Sequence, residues 1–150
     1  LPPQAVPATA RTKIDPEMAA RHPMHILLAE DNVVNQKLAV HLLSQMGYRP
    51  DVAANGVEVL RSLERQFYDV ILMDVQMPEM DGLEASRQIC ARWPRAQRPY
   101  IIAMTANAMQ GDREICLQAG MDDYVSKPIR VEELVNALER VPDPEQRSEG

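Results

Sequence analysis

Five positions of this 150-residue chain carry groups that could do chemistry together: the acidic pair Glu30-Asp31, Asp74, Thr105 and Lys127. Three carboxylates brought into one place repel each other and raise at least one pKa. A divalent cation removes that conflict. An open site with hard oxygen ligands suits Mg²⁺, with Mn²⁺ as a substitute, because such an ion takes few carboxylates and keeps several waters. Asp74 is then free to act as a nucleophile toward phosphorus. The metal and the Lys127 ammonium would neutralise charge on a transferred phosphoryl group, and the Thr105 hydroxyl could hydrogen-bond one of its oxygens. Each residue also has an ordinary use alone: a turn acid, a helix cap, a strand threonine, a surface lysine. The joint pattern matters only if the fold brings these positions together.

The intervening sequence supplies elements that would do so. Short apolar runs at 25–29, 68–73 and 100–104 end at Glu30, Asp74 and Thr105, and a fifth strand at 123–126 ends at Lys127. Runs of this length without polar alternation are expected of strands buried on both faces. A weaker strand is read at 49–53. Between the strands lie helical segments. Asn32 is placed to cap the first, whose Val34, Leu38, Leu42 and Met46 recur at spacing four, and Gly47 ends it. Further helices are expected at 56–66, 83–93 and 110–119, and a last one carries Val131, Leu134, Val135 and Leu138. Five strands alternating with five helices through short loops imply an α/β fold with a parallel sheet covered on both faces. In such sheets the functional crevice lies at the carboxyl ends of the strands. The polar groups named above all fall there.

The flanks have another character. Residues 1–24 hold Pro2, Pro3, Pro7, Pro16 and Pro23 without apolar periodicity and read as an extended linker, and residues 142–150 read as a flexible tail around a domain at 25–141. The net charge is −6 and the pI about 5.1. Both argue against a nucleic-acid binder working by counterion release. No apolar run approaches the roughly 18 residues of a membrane span. The chain begins at Leu1 without a signal-peptide pattern and reads as a fragment of a longer protein. Cys90 and Cys116 stand apart with no metal-binding spacing, which suits a cytoplasmic location.

The motifs LLAEDN at 27–32, DVILMDVQMPEMDG at 69–82, MTAN at 104–107 and DDYVSKP at 122–128 resemble the response-regulator receiver family as a set. The resemblance implies a flavodoxin-like (βα)5 sandwich with strand order 2-1-3-4-5. It makes Asp74 the phosphoacceptor of two-component signalling, and Glu30, Asp31, Asp74 and the Gln76 backbone carbonyl the metal ligands. Thr105 and Tyr124 become the switch pair, Lys127 the catalytic lysine, and Gln76 and Asn107 the residues that set phosphoryl lifetime. A cis bond is implied between Lys127 and Pro128. The implied partner is a histidine kinase or histidine phosphotransfer protein, and a monomer is the default. Glu30 stands where many relatives have Asp, which suggests a water-mediated or shifted metal contact. EDNVVNQ and MDVQMPEMDG resemble receivers attached to hybrid sensor histidine kinases. The domain would then run its own phosphorylation and dephosphorylation, with no metabolite turned over.

Three other readings compete. A haloacid-dehalogenase-type phosphatase needs a second Asp two residues after the nucleophile, where this chain has Gln76, which cannot donate a proton. A flavodoxin-like electron carrier needs a phosphate-cradling loop after the first strand, where Glu30-Asp31 would repel phosphate. A phosphorylation-independent pseudo-receiver scaffold would have little reason to carry every site group.

Overall fold

The computed structural model describes residues 16–106 and 110–142, and side chains at all of these except 110–112. A short helix, Met18–Arg21, precedes five strand–helix units. These are β1 (Ile26–Ala29), α1 (Val33–Gln45), β2 (Asp51–Ala53), α2 (Gly56–Arg65), β3 (Val70–Asp74), α3 (Gly82–Arg92), β4 (Tyr100–Thr105), α4 (Gln110–Gln118), β5 (Asp123–Ser126) and α5 (Val131–Glu139). All strand pairings are parallel, and the order is β2-β1-β3-β4-β5. This is the flavodoxin-like arrangement expected from the motifs. The crossover from β2 over β1 to β3 makes the ends of β1 and β3 the switch point of the sheet.

Strand periodicity divides the core in two. Ile26, Leu28, Val70, Leu72, Ile102 and Met104 point to one face, where they meet Leu43 and Met46 from the end of α1 and Leu134 and Leu138 of α5. Leu27, Ile71, Met73, Ile101 and Ala103 point to the other, against Val59 and Leu60 of α2, Ala85 and Ile89 of α3, and Cys116 of α4. Each large side chain so buried contributes about 1.5–3 kcal/mol. Because β1, β3 and β4 are covered on both sides, their sequences show no polar alternation.

α1 ends as its sequence predicts. Gly47, at φ +95°, donates to Ser44 O at 3.0 Å, and Tyr48 N donates to Leu43 O at 2.9 Å. This double closure satisfies carbonyls that the helix leaves open and needs the left-handed backbone that glycine adopts cheaply. The other end of α1 departs from expectation. Val34 and Leu38, read as part of an inward stripe, are exposed, Val34 at 73%, and Val33 is exposed beside them. Only Ala39, Leu42, Leu43 and Met46 are buried. The apolar residues of the first turns of α1 thus face solvent, and the buried stripe begins at Ala39.

The expected linker is also corrected at its inner end. Residues 16–24 fold onto the domain. Met18 is 1% exposed and belongs to the core on the α1/α5 face. Ala19 N donates to Met46 O at 3.0 Å, the Tyr48 hydroxyl donates to His22 O at 2.6 Å, and His22 Nε2 lies 3.1 Å from Val141 O. Burial pushes the Tyr48 phenol up to about 12, with Arg21 opposing and Glu139 adding to the rise. Residues 1–15 and 143–150, expected as linker and tail, lie outside the described residues. Among the described residues no helix is long and apolar enough to cross a membrane.

Candidate functional site

β1 delivers Glu30 and Asp31 to the carboxyl edge of the sheet, and β3 delivers Asp74 beside them. One oxygen from each of these three carboxylates can be chosen so that all lie within 4.8 Å of one another. Glu30 and Asp74 are buried, and Asp31 is exposed at the mouth. From the end of β5, Lys127 Nζ donates to Asp74 Oδ2 at 3.1 Å and lies 3.5 Å from Glu30 Oε1. Lys127 N donates to Thr105 O at 2.8 Å, which ties the loop carrying the ammonium to the end of β4. The Lys127–Pro128 peptide is cis, as the motif implied. A cavity of about 380 Å³ opens onto Asp74, with Gln76, Thr105 and Lys127 in its walls and Leu83, Ile115 and Cys116 closing it. Thus Glu30, Asp31, Asp74, Gln76, Thr105 and Lys127 converge, although they come from distant parts of the sequence. Asn107 lies outside the described residues.

Glu30 is held by Asn32, Asn35 and Gln36 of the EDNVVNQ run, to which the motifs gave no role toward the acid. Its Oε2 accepts from Asn32 N at 3.1 Å and from Asn35 Nδ2 at 3.5 Å, and the Gln36 amide donates to its backbone carbonyl. Asn35 and Gln36 occupy the first turn of α1, which starts at the Asn32 cap, so the run NVVNQ carries a cap and two amides that fold back on the acid. Polar residues in a first turn that directly follows an acidic strand end were the available signal. Burial raises the Glu30 carboxyl above its usual range; the bond from Asn32 opposes this, and the neighbouring Asp74 charge adds to it. Burial by itself would lower the Lys127 ammonium, but the bond to Asp74 and the charges of Asp74 and Glu30 outweigh it, and the net shift is upward.

The chain after Asp74 is cinched tightly. Gln76 N donates to Asp74 Oδ1 at 3.2 Å. Val75 N reaches Met104 O at 3.1 Å, and Gly82 N returns to Val75 O at 2.9 Å. Glu79 turns the loop at φ +68°, a region that residues other than glycine rarely occupy. A Cβ on Gly82 would lie 2.2 Å from the Asp74 carbonyl oxygen, so glycine is required for the helix start to pass this close to the acid.

Glu30 Oε1 is buried and accepts no hydrogen bond. A buried carboxylate oxygen that meets the Lys127 ammonium only at 3.5 Å and stands beside two further carboxylates is what a small divalent cation with oxygen ligands would satisfy, so this donor set fits Mg²⁺. Tyr124 sits differently from the rest. It is half-buried on β5, and its hydroxyl accepts from Arg113 Nη1 at 2.6 Å. It is not among the residues lining the cavity at Thr105. Arg113 lies on another element eleven residues earlier, and no sequence spacing announced the pair.

The match to the family described as response regulator receiver domain covers residues 26–139. The chain belongs to the response regulator receiver family. This receiver is 43% identical over 129 residues to hybrid signal transduction histidine kinase K of Dictyostelium discoideum, covering 82% of the chain and 11% of that protein. It is 38% identical over 117 residues to the aerobic respiration control sensor protein ArcB of Escherichia coli, covering 78% of the chain and 15% of that protein. The receiver therefore spans a small part of such relatives. Among solved structures, it is 51% identical to the receiver domain of a sensor histidine kinase from Pseudomonas aeruginosa that has a magnesium ion coordinated in the active site cleft. The TM-score is 0.71, covering 79% of this chain and 96% of that one. A Saccharomyces cerevisiae receiver domain, co-crystallised with a histidine phosphotransfer signalling protein, matches at TM-score 0.71 and 28% identity, covering 79% of this chain and 88% of that one.

Proposed function

We propose that this receiver accepts a phosphoryl group on Asp74 from a phosphohistidine in a magnesium-dependent reaction. The observation that carries the reading is the geometry around Asp74. Lys127 donates to one of its carboxylate oxygens at 3.1 Å, and the Gln76 amide donates to the other at 3.2 Å. Glu30 and Asp31 stand close enough to share an ion with it. Asp31, Asp74 and the Gln76 carbonyl would hold Mg²⁺, with Glu30 reaching it directly or through water. When bound, the ion neutralises charge on the phosphoryl oxygens during transfer.

In the step itself an Asp74 carboxylate oxygen forms a bond to phosphorus as the P–N bond to the donor imidazole breaks, and the bonding pair leaves with the imidazole nitrogen. Lys127 offers its protons to the phosphoryl oxygens, exchanging a carboxylate partner for a more highly charged one. Thr105, at the cavity wall, donates its hydroxyl to another phosphoryl oxygen. Tyr124 follows Thr105, and the two states of this pair report the phosphoryl group on the surface of α4, β5 and α5. Gln76 and Asn107 tune the lifetime of the acyl phosphate.

Val33, Val34 and Leu38, exposed beside the acidic cluster, offer an apolar surface on which a phosphodonor protein can dock. The similarity to hybrid kinases supports a parent protein of that kind. Incubation with Mg²⁺ and acetyl phosphate, followed by intact mass spectrometry, tests the reading. One phosphoryl adduct is expected, and it should vanish in Asp74→Ala. No adduct on the wild-type chain would leave the pseudo-receiver scaffold as the better description.

A further inference from the structure

Tyr124 is held from outside the acceptor cavity. The Arg113 guanidinium donates to its hydroxyl at 2.6 Å and lies 5.2 Å from the centre of its ring, so one side chain makes both a charge-assisted hydrogen bond and a cation–π contact. Among the described residues Arg113 Nε is buried without a hydrogen-bond partner, and Nη1 is the nitrogen that bonds the Tyr124 hydroxyl. The cavity beside Thr105 has Ala106, Ile115 and Cys116 in its wall, and Tyr124 does not line it. A rotation of the ring that carries its hydroxyl away from Arg113 breaks this bond. We propose that Arg113 is a positioning residue that latches Tyr124 in its outer rotamer and so opposes the switch that phosphorylation drives.

This inference rests on the reading of Thr105 and Tyr124 as the switch pair. A latch on one state of a two-state element lowers the apparent affinity of any ligand that needs the other state, and removing it returns that affinity. The partner of the released guanidinium is then solvent or an acidic group on a docking protein.

The test uses Mg²⁺ with beryllofluoride as the phosphoryl mimic. Affinity is measured calorimetrically, and the Tyr124 ring signal is followed by NMR and assigned by loss in Tyr124→Phe. Arg113→Ala should tighten mimic binding by about fivefold or more, the lower end of common coupling strengths. In the unloaded domain it should also move the Tyr124 signal toward its loaded position. Arg113→Gln, which keeps the stem and a donor but loses the charge, should fall between. In a Tyr124→Ala background the Arg113 effect on affinity should disappear. A Tyr124 signal unchanged by Arg113→Ala, or an equal gain of affinity in the Tyr124→Ala background, overturns the latch. A wild-type Tyr124 signal that stays fixed on loading overturns the switch pair itself, which keeps the two failures apart.

Discussion

Replacing Gly82 by alanine adds one methyl group where the structure leaves no room for it. The new Cβ would stand 2.2 Å from the Asp74 carbonyl oxygen and 2.9 Å from Met73 Cγ. Ordinary contact begins near 3.4 Å, so backbone must separate by about 1.2 Å at the residue that carries the phosphoacceptor. Met73 is fully buried and its Cγ has little room to yield; the carbonyl can move only with the end of β3 or the start of α3. Overpacking of this kind costs about 1–3 kcal/mol, and the intrinsic helix preference of alanine over glycine returns at most about 1 kcal/mol. A net loss of about 1–2 kcal/mol is expected in urea unfolding. The functional loss should be larger, because a misplacement of about 1 Å in a reacting group can cost about a hundredfold in rate. The assay is the initial rate of adduct formation from acetyl phosphate at saturating Mg²⁺, run at a temperature where the variant is fully folded. A Gly82→Ala chain with unchanged stability and a rate within twofold of wild type would refute the claim that the start of α3 braces the acid.

Three other outcomes follow from the same structure. Met18→Ala should destabilise the domain by about 2 kcal/mol or more in denaturant titration, since it empties a buried site, and a chain lacking residues 16–24 should lose at least as much; a truncation without effect would mean that the segment does not dock. Tyr48, pushed up to about 12 by burial, should stay neutral in an ultraviolet titration after exposed phenols have ionised. Its raised value means that its contribution to stability is fully present below pH 10 and is lost as pH rises through about 12, so a Tyr48→Phe chain, which gives up the bond to His22 O at every pH, should lose less stability between pH 10 and 12 than wild type does. Lys127→Ala should leave Mg²⁺ affinity within a few-fold, because the carboxylates remain, while adduct formation falls by about tenfold or more, as expected for loss of a charge-stabilising donor; equal rates would remove the lysine from the mechanism.

The strands and the positions at their ends were legible because burial on both faces leaves continuous apolar runs, and the polar residue that breaks each run marks the edge of the sheet. Asp74 after VILM and Thr105 after YIIAM are read this way without any structure. The inner face of α1 was legible only in part. Spacing four continues through Val34 and Leu38, but periodicity carries no information about where the sheet underneath stops. Residues 16–24 misled for a related reason. A lone Met18 between prolines has no pattern, and its burial depends on a groove formed by the ends of α1 and α5. The Arg113–Tyr124 pair was illegible because it joins two elements through side chains, with nothing local to favour it.

The docked segment 16–24 fixes where the polypeptide enters the domain. It enters beside the C-terminal ends of α1 and α5, near Met46 and Val141. Helices run back along a parallel sheet, so this is the pole opposite the carboxyl edge that carries Asp74. A pull transmitted along the chain from that side loads Met18 and the two helix ends, and leaves the acid and its brace at Gly82 out of the line of force.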